Sequence, residues 1–326
     1  MTISRLFVSI AFVGMCLLAA CATESRRAGV PAASVTLVSV GSVSMNPLIL
    51  TWMNEFKQFQ PQVDLKADGK GAEMGPLGLV GEVADFAAMS RPMRDEEIAQ
   101  FVEKFGYPPT RITVAVDGLV LLVHESNPLR GVTLPQIEAI YSCAPTREYP
   151  RDITAWGQLG LKDDWQDLAI VPYARFGWHG HEFFKERVLV DNDFRNAVVE
   201  GGGSSLFPPI AVDWRGIVYS AAFLTCQGTR AVPLAVEPGT PFFEPTYANL
   251  VSGEYPLSRW LYIYVNRRPG QSVSQPALDF LRYVLSDEGQ QIVVQQGFGR
   301  IPRILAAEQI LELSREIEND SGDQSD

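Results

Sequence analysis

The turn between the first predicted strand and the first predicted helix, within residues 34–60, limits the possible folds most strongly. A β-branched run breaks at Gly41, and a helix-like pattern begins behind the residues Ser-Val-Ser-Met-Asn-Pro. A helix that starts in this way presents free backbone N–H groups and the positive end of its dipole, and Ser44 adds a hydroxyl donor. This turn therefore suits an oxyanion, although similar capped turns begin many ordinary helices.

Strand-like and helix-like segments alternate along most of the chain. The predicted strands lie at residues 63–67, 82–89, 111–124, 168–173 and 260–265. The predicted helices begin near Arg94, Thr133 and His179, and two more fill residues 275–296. This order predicts an α/β fold with mainly parallel sheets, in which ligands bind beyond the carboxyl ends of the strands.

The first twenty residues predict export from the cytoplasm. One positive charge, Arg5, precedes an apolar core at residues 6–17, which is too short to span a bilayer and has the form of a secretory signal. The core ends in Leu-Ala-Ala before Cys21, a pattern that resembles a bacterial lipobox. The sequence thus predicts a lipoprotein signal peptide over residues 1–20, lipidation of Cys21, and a polar tether over residues 21–34. A plain signal peptide with an incidental cysteine is the alternative.

The formal net charge of −11 makes nucleic acid an unfavourable partner and opposes long-range attraction of anions. Any anion site must therefore act through short-range, preorganised hydrogen bonds. The length of 326 residues, 46% of them hydrophobic, is sufficient for two domains or lobes. Residues 311–326 are acidic and polar and are predicted to form a disordered tail.

Two cysteines, Cys143 and Cys226, remain outside the signal region. Two thiols in an exported chain suggest one disulfide, but a pair of unrelated buried cysteines explains them almost as well. No close grouping of cysteines in the sequence indicates zinc or a redox centre, and we predict no cofactor.

Two segments place ligand-binding groups directly after predicted strands. Ser90 and Arg91 follow an apolar run and bring a hydroxyl and a guanidinium to the expected ligand edge. The glycine-rich segment at residues 69–75 contains Gly71 and Ala72, and its small residues let backbone N–H groups approach a ligand closely.

A third segment combines an arginine with a helix start. Arg175 lies just before the sequence His179-Gly180-His181, where a helix is predicted to begin. An anion held at that helix start would be within reach of the arginine. This segment therefore adds a second predicted helix N-terminus to the candidate site.

The collinear order of these motifs resembles the periplasmic phosphate-binding proteins of ABC importers. The matching motifs are GSVSMNPL, GKGAEMGPLGL, FAAMSRPMRDEE, VAVDGLVLLVHESNP, TLPQIEAIYS, ITAWGQLGL, RxxxHGHxFFKE, YPLSRWLYIYVN and LSDEGQQIVVQQGF. They cover roughly residues 36–303. The resemblance implies a two-lobed periplasmic-binding-protein-like fold of type II, in which each lobe is a mainly parallel sheet flanked by helices.

The resemblance also implies a division of the chain and a set of ligand-binding residues. Residues 35–116 and 258–310 would form one lobe and residues 117–257 the other, with crossovers near Asp117 and Leu257. Arg175 would be the arginine that pairs with phosphate. The implied ligand-binding residues are Ser44, Met45, Gly71, Ala72, Ser90, Arg91, Arg175, His179, Gly180 and His181.

The chain departs from the family pattern at two of these motifs. Where the family pattern reads R-x-x-x-S-G-T, this chain has His179 and His181 in place of the Ser and the Thr. Its glycine-rich loop carries Ala72 and Glu73 where a hydroxyl residue is usual. Each neutral imidazole still donates one N–H, so histidine can replace the lost hydroxyls. On this hypothesis anion affinity rises as the histidines become protonated near about pH 6–7.

These observations predict a monomeric solute-binding lipoprotein of the periplasm or cell envelope. It would capture phosphate or a related oxyanion for an ABC permease and would not be an enzyme. Three alternatives remain open: a degenerate relative that acts as a sensor or adaptor, a metal-binding protein using His179 and His181, and a hydrolase using Ser44 or Ser90 beside His179.

Overall fold

The computed structural model describes residues 35–147, 152–175, 178–201, 207–224 and 226–315. The predicted signal peptide, the lipidation site Cys21 and the tether lie outside these ranges. No helix within them combines the length and the apolar character that crossing a bilayer requires.

Strands and helices alternate along the described ranges, as the sequence predicts. The strands are β1 Val35–Gly41, β2 Val63–Gly69, β3 Phe86–Met89, β4 Thr110–His124, β5 Val132–Thr133, β6 Val171–Arg175, β7 Val199–Gly201, β8 Gly216–Ala221, β9 Thr229–Val232, β10 Leu234–Ala235 and β11 Ser258–Val265. The helices are α1 Asn46–Phe59, α2 Met74–Val80, α3 Asp95–Phe105, α4 Leu134–Tyr141, α5 His179–Arg187, α6 Phe207–Val212, α7 Tyr247–Ser252, α8 Gln275–Leu285, α9 Asp287–Gln295 and α10 Arg303–Ser314.

The main sheet has two groups of parallel strands joined by antiparallel ones. Its order is β2-β1-β3-β11-β4-β8-β6-β7, and β9 also pairs with β4. Strand β1 is parallel to β2 and β3, and β6 is parallel to β7 and β8, whereas β11 and β4 pair antiparallel with their neighbours. The described pairings of the main sheet are thus mixed, four parallel and four antiparallel, and the antiparallel ones all involve β4 or β11, where the groups join.

The long strand β4 belongs to both groups. Its first part, up to Gly118, pairs with β11, and from Leu119 onward it pairs with β8. The Leu119 N–H donates to the carbonyl oxygen of Leu257 at 2.9 Å, which fixes β4 to the chain just before β11 begins. We call strands β1, β2, β3 and β11 with helices α1–α3 and α8–α10 the first half. We call strands β6–β9 with helices α4–α7 the second half.

Each half has its own apolar core. In the first half, α1 buries Trp52 and Phe56 against Phe280 of α8, and the indole N–H of Trp52 donates to a backbone carbonyl at 2.8 Å. The core of the second half includes Trp156 and Phe184. These two cores hold the helix starts of α1 and α5 in place.

Two further predictions concern the cysteines and the C-terminal segment. Cys143 has an exposed free thiol, so the disulfide with Cys226 considered from the sequence is not formed in this structure. The two residues lie in separate loops, one after α4 and the other before β9. Helix α10 continues to Ser314 and buries Leu313, so the chain is still helical beyond the predicted start of the acidic tail.

Candidate functional site

A cleft of about 340 Å³ lies between the first half and helix α5 of the second half. Its lining residues are Ser42, Val43, Ser44, Gly71, Ala72, Glu73, Ser90, Arg91, Arg94, Glu182, Glu186, Asp191 and Arg259. Of the ten predicted ligand-binding residues, five are among these described lining residues, all from the first half, and the side chain of His179 is not described. Larger grooves of about 700 and 760 Å³ flank Pro128 in the second half, but no predicted site residue lines them.

The lining divides into two zones by exposure. We call the buried and half-buried members the floor: Ser42, Ser44, Gly71, Ala72, Ser90, Arg91 and Arg259. We call the exposed members the rim: Val43, Glu73, Arg94, Glu182, Glu186 and Asp191. All carboxylates of the lining belong to the rim.

Ser42 and Ser44 form the part of the floor that lies at the end of β1. Both are buried, and their hydroxyl oxygens lie 2.9 Å apart in a short 3-10 turn that leads into α1. Gly41 precedes this turn with a φ of 149°, and a Cβ on it would lie 2.1 Å from the carbonyl oxygen of Ala88. Only glycine permits this close approach of β1 to β3, which holds the two serines over the cleft.

The glycine-rich loop lines the cleft but does not offer the backbone donor that the sequence suggests. The N–H of Gly71 donates to the carbonyl oxygen of Gly41 at 3.0 Å, so it is already used within the first half. Gly71 has a φ of 124°, and the carboxylate of Glu73 folds back against it. The loop therefore contributes shape and one carboxylate rather than an amide donor from Gly71.

Arg91 lies in the floor beside Ser90 and is held by an ion pair. Its two terminal nitrogens donate to the two carboxylate oxygens of Glu97 at 2.8 and 2.7 Å. The hydrogen bond to Glu97 raises the pKa of Arg91, and the nearby charges of Glu186 and Glu73 raise it further. The same hydrogen bond lowers the pKa of Glu97. Arg91 is therefore a rigid cation whose charge is largely compensated.

Arg259 is a floor residue that the sequence reasoning did not identify. In the register of β11 and β4 it lies opposite Asp117, and its Nε and Nη2 approach one carboxylate oxygen of Asp117 at 3.0 and 2.9 Å. Its Nη2 lies 3.5 Å from the hydroxyl oxygen of Ser44, and its guanidinium carbon lies 3.9 Å from the ring centroid of Phe183 in α5. Arg259 thus contacts residues of both halves.

Burial makes this ion pair a fixed part of the floor. The side chain of Asp117 is fully buried and that of Arg259 is 12% exposed. The second carboxylate oxygen of Asp117 has no hydrogen-bond partner in the structure. A buried carboxylate needs its cation, so Asp117 holds Arg259 at the position where the guanidinium reaches the cleft. The sequence signals of this pair are the motif Ser-Arg-Trp at residues 258–260 and the dipeptide Asp117-Gly118, which interrupts a long apolar run.

Arg175 and Met45 are not among the lining residues. Arg175 ends β6, and its guanidinium carbon lies 5.8 Å from the ring centroid of Trp178, in a cation–π arrangement. Met45 is fully buried in the core of the first half. Among the described residues, Arg259 lines the cleft and Arg175 does not, so the phosphate-pairing role of Arg175 stays a prediction.

Gly180 and His181, at the start of α5, are not among the described lining residues, and the side chain of the predicted ligand residue His179 lies outside the described part of the structure. The Nδ1 of His181 lies 3.2 Å from the hydroxyl oxygen of Tyr219, and its ring stacks on Phe194. Burial lowers the pKa of His181. Gly180 is buried, and α5 begins at His179 as the sequence predicts. His181 therefore packs against aromatic residues of the second half and is not among the described lining residues of the cleft.

Helix α5 instead presents carboxylates to the cleft. Glu182 and Glu186 are one turn apart and share a face, while Phe183 and Phe184 between them are buried. Asp191, shortly after the helix end, extends this acidic side. The alternation in His-Glu-Phe-Phe-Lys-Glu, with the two glutamates four residues apart, is the signal that could have predicted it.

The metal-binding and hydrolase alternatives can be compared with the described residues. Among them, no group of three histidine, cysteine or acidic side chains is placed to hold a metal ion. The hydroxyl of Ser44 contacts Ser42 and Arg259, and neither of these residues is a general base.

Comparison with known proteins agrees with the geometry. A family model described as a PBP superfamily domain matches residues 27–193. The phosphate-binding protein PstS of Pseudomonas aeruginosa is 35% identical over 321 residues, covering 96% of this chain and 99% of that protein. The phosphate-binding protein PstS of Staphylococcus saprophyticus is 26% identical over 286 residues, covering 86% of this chain and 85% of that protein.

A solved structure described as a possible phosphate-binding protein from Planctomyces limnophilus superposes with a TM-score of 0.73 at 22% identity, over 86% of this chain and 98% of that one. An ABC-type phosphate transport receptor from Vibrio cholerae gives 0.62 at 20% identity, over 82% of this chain and 100% of that one. These likenesses confirm the predicted α/β, two-lobed fold. The chain belongs to the PBP superfamily and, within it, to the family of periplasmic phosphate-binding proteins.

Proposed function

We propose that this chain is an extracytoplasmic solute-binding lipoprotein that captures phosphate or a related oxyanion in the cleft and delivers it to an ABC importer. Its relatives named phosphate-binding proteins support the ligand class, since one of them is 35% identical over nearly the whole chain. The predicted signal peptide and lipidation of Cys21 support the location. We expect it to act as a monomer.

The observation that carries this proposal is the placement of Arg259 beside Ser44 in the cleft floor. A guanidinium in a partly buried site forms charge-assisted hydrogen bonds with an oxyanion, and neutral hydroxyls donate further bonds without adding charge. Asp117 fixes the orientation of the guanidinium before the ligand arrives. Such preorganisation lowers the ordering cost of binding.

The carboxylates of the rim favour a ligand that is still protonated. A carboxylate accepts hydrogen bonds but cannot donate them, so it favours an anion that still carries a proton. Glu73 is the rim carboxylate nearest in sequence to the floor loop and is the group that would accept such a bond. We therefore expect the protonated oxyanions phosphate and arsenate to bind more tightly than sulfate.

Isothermal titration calorimetry with phosphate, arsenate, sulfate and small carboxylates tests the proposal. Phosphate and arsenate should bind, and the double variant Asp117→Asn/Arg259→Gln should lose at least about tenfold in affinity, because one charge-assisted hydrogen bond is worth roughly 1.5–3 kcal/mol. Arg303→Gln is the matched control, since its side chain is 82% exposed and lies at the start of α10, away from the described lining of the cleft. Equal affinity in the double variant and the control would contradict the role of Arg259.

A second candidate function follows from the acidic rim. Four carboxylates line the cleft, and both floor arginines are already paired. This excess favours a relative that keeps the scaffold as a sensor or adaptor and no longer binds a simple anion. Calorimetry that detects no heat with any oxyanion, in a chain shown to be folded, would support this second function.

A further inference from the structure

The cleft separates hydrogen-bond donors from carboxylates along its depth. The floor carries the hydroxyls of Ser42, Ser44 and Ser90 together with two guanidinium groups, and it contains no carboxylate among its described lining residues. The exposed rim carries Glu73, Glu182, Glu186 and Asp191 against a single arginine, Arg94. One cavity therefore presents a donor-rich inner end and an acidic outer end.

The size of the cleft exceeds what a lone tetrahedral oxyanion needs. Its volume is about 340 Å³, whereas a water molecule occupies about 30 Å³ in the liquid. An oxyanion with five heavy atoms fills only a fraction of this space, and the volume falls within the range of sites for larger small molecules, which begins at about 300 Å³. The cleft can hold an oxyanion together with a short substituent.

The charges of the site also fit a ligand that carries both a negative and a positive group. The ion pairs with Glu97 and Asp117 compensate Arg91 and Arg259, so the rim carboxylates have little cationic counterpart within the lining. A bare phosphate dianion on the floor would face these carboxylates across the cleft and would be repelled by them. A cationic group on the same ligand would instead be attracted.

From this separation we propose that the cleft selects zwitterionic phosphate esters or phosphonates that carry a short aminoalkyl group. The inference deepens the proposed function and rests on it. The tetrahedral oxyanion group binds Arg259 and the floor hydroxyls, and the ammonium group lies between Glu182 and Glu186. These two carboxylates project from one face of α5, about one helical turn apart, which suits a compact ammonium group with three donors.

The test compares ligands that differ only in the amine. O-phosphoethanolamine is measured against ethyl phosphate, and 2-aminoethylphosphonate against ethylphosphonate, with inorganic phosphate and ethanolamine as reference ligands. Calorimetry at pH 7 keeps the amine charged, since alkylammonium groups titrate near about pH 10. We expect each aminoalkyl ligand to bind about two- to thirtyfold more tightly than its partner without the amine, because two exposed rim carboxylates would contact the ammonium group. The two pairs distinguish an ester ligand from a phosphonate ligand.

A double variant identifies the carboxylates responsible. Glu182→Gln/Glu186→Gln should abolish the preference for the amine and should raise the affinity for inorganic phosphate by about two- to fivefold, because repulsion is removed. The matched control is Glu308→Gln/Glu312→Gln, which changes two exposed glutamates with the same four-residue spacing on α10. The control should leave every affinity unchanged.

The outcomes separate this inference from the proposed function. Inorganic phosphate binding as tightly as, or more tightly than, the aminoalkyl ligands overturns the inference and leaves the proposed function intact. The same holds if the amine preference persists in Glu182→Gln/Glu186→Gln. Absence of binding by every oxyanion overturns the proposed function itself.

Discussion

The floor and the rim of the cleft are built in different ways. The floor consists of tightly packed backbone turns and a buried ion pair, and its serines and Arg259 are held by contacts that extend into the core of the first half. The rim consists largely of exposed carboxylates on and after one face of α5. On the proposed function, the capture of an anion and the choice among anions would therefore reside in separate parts of the molecule.

Breaking the floor at its ion pair should have the largest effect. Arg259→Met leaves Asp117 buried without its cation, which we expect to destabilise the protein by about 3–5 kcal/mol. Denaturant unfolding followed by circular dichroism measures this loss. Asp117→Asn/Arg259→Gln should recover much of the stability but not the anion affinity. A single variant as stable as the wild type would show that the pair is not essential to the floor.

Crowding the backbone beneath the floor should have the next largest effect. In Gly41→Ala the new methyl group meets the carbonyl oxygen of Ala88, only 2.1 Å from the ideal Cβ position. We expect a loss of about 1–3 kcal/mol in the free energy of unfolding. Gly106→Ala is the control, because it also has a positive φ, of 81°, but meets no atom within 4 Å. Similar losses in the two variants would contradict the steric argument.

Removing one floor hydroxyl should produce a smaller change confined to binding. Ser44→Ala deletes the oxygen that lies 3.5 Å from Arg259 and 2.9 Å from Ser42. We expect a loss of about 0.5–1.5 kcal/mol in anion binding, or roughly two- to tenfold in affinity. Calorimetry measures it, and Ser252→Ala in the exposed end of α7 should leave affinity unchanged.

The smallest expected effect concerns the pH dependence contributed by His181. Its pKa is lowered by burial in the folded protein, so the unfolded chain binds more protons than the folded chain below about pH 6.5. The contribution to stability is therefore full above this pH and falls as the pH drops through the window below it. His181→Asn should flatten the stability profile in this window. Anion affinity should not depend on His181, and an affinity that rises with protonation would restore the histidine-donor hypothesis.

The sequence predicted most of the elements that surround the site. The strand-to-helix turn at Ser44, the helix α4 behind its cap Thr133, and the pair α8 and α9 all follow the pattern of polar caps and apolar periodicity. Such signals are local, because capping groups and buried faces recur within one or two turns. Ser90 and Arg91 were likewise predicted correctly to lie at the strand end that faces the cleft.

The sequence could not reveal how distant residues meet. Arg259 and Asp117 are 142 residues apart in the chain and become neighbours only through the register of β11 and β4. The family pattern directed attention to Arg175, whose guanidinium lies against Trp178 in the structure. His181 was predicted to face a ligand because it lies at a predicted helix start. In the structure its ring instead packs against Tyr219 and Phe194, which are distant in the sequence.

The contact between Gly41 and Ala88 has a consequence for how such a protein can change over evolutionary time. No larger residue fits at that point, so a mutation of Gly41 changes the inner surface only by damaging the scaffold. The solvent-facing positions of α5 have no such constraint, and they can accept almost any polar side chain at little cost. On the proposed function, descendants of this chain can therefore change their ligand preference by altering one helix surface while the inherited architecture stays the same.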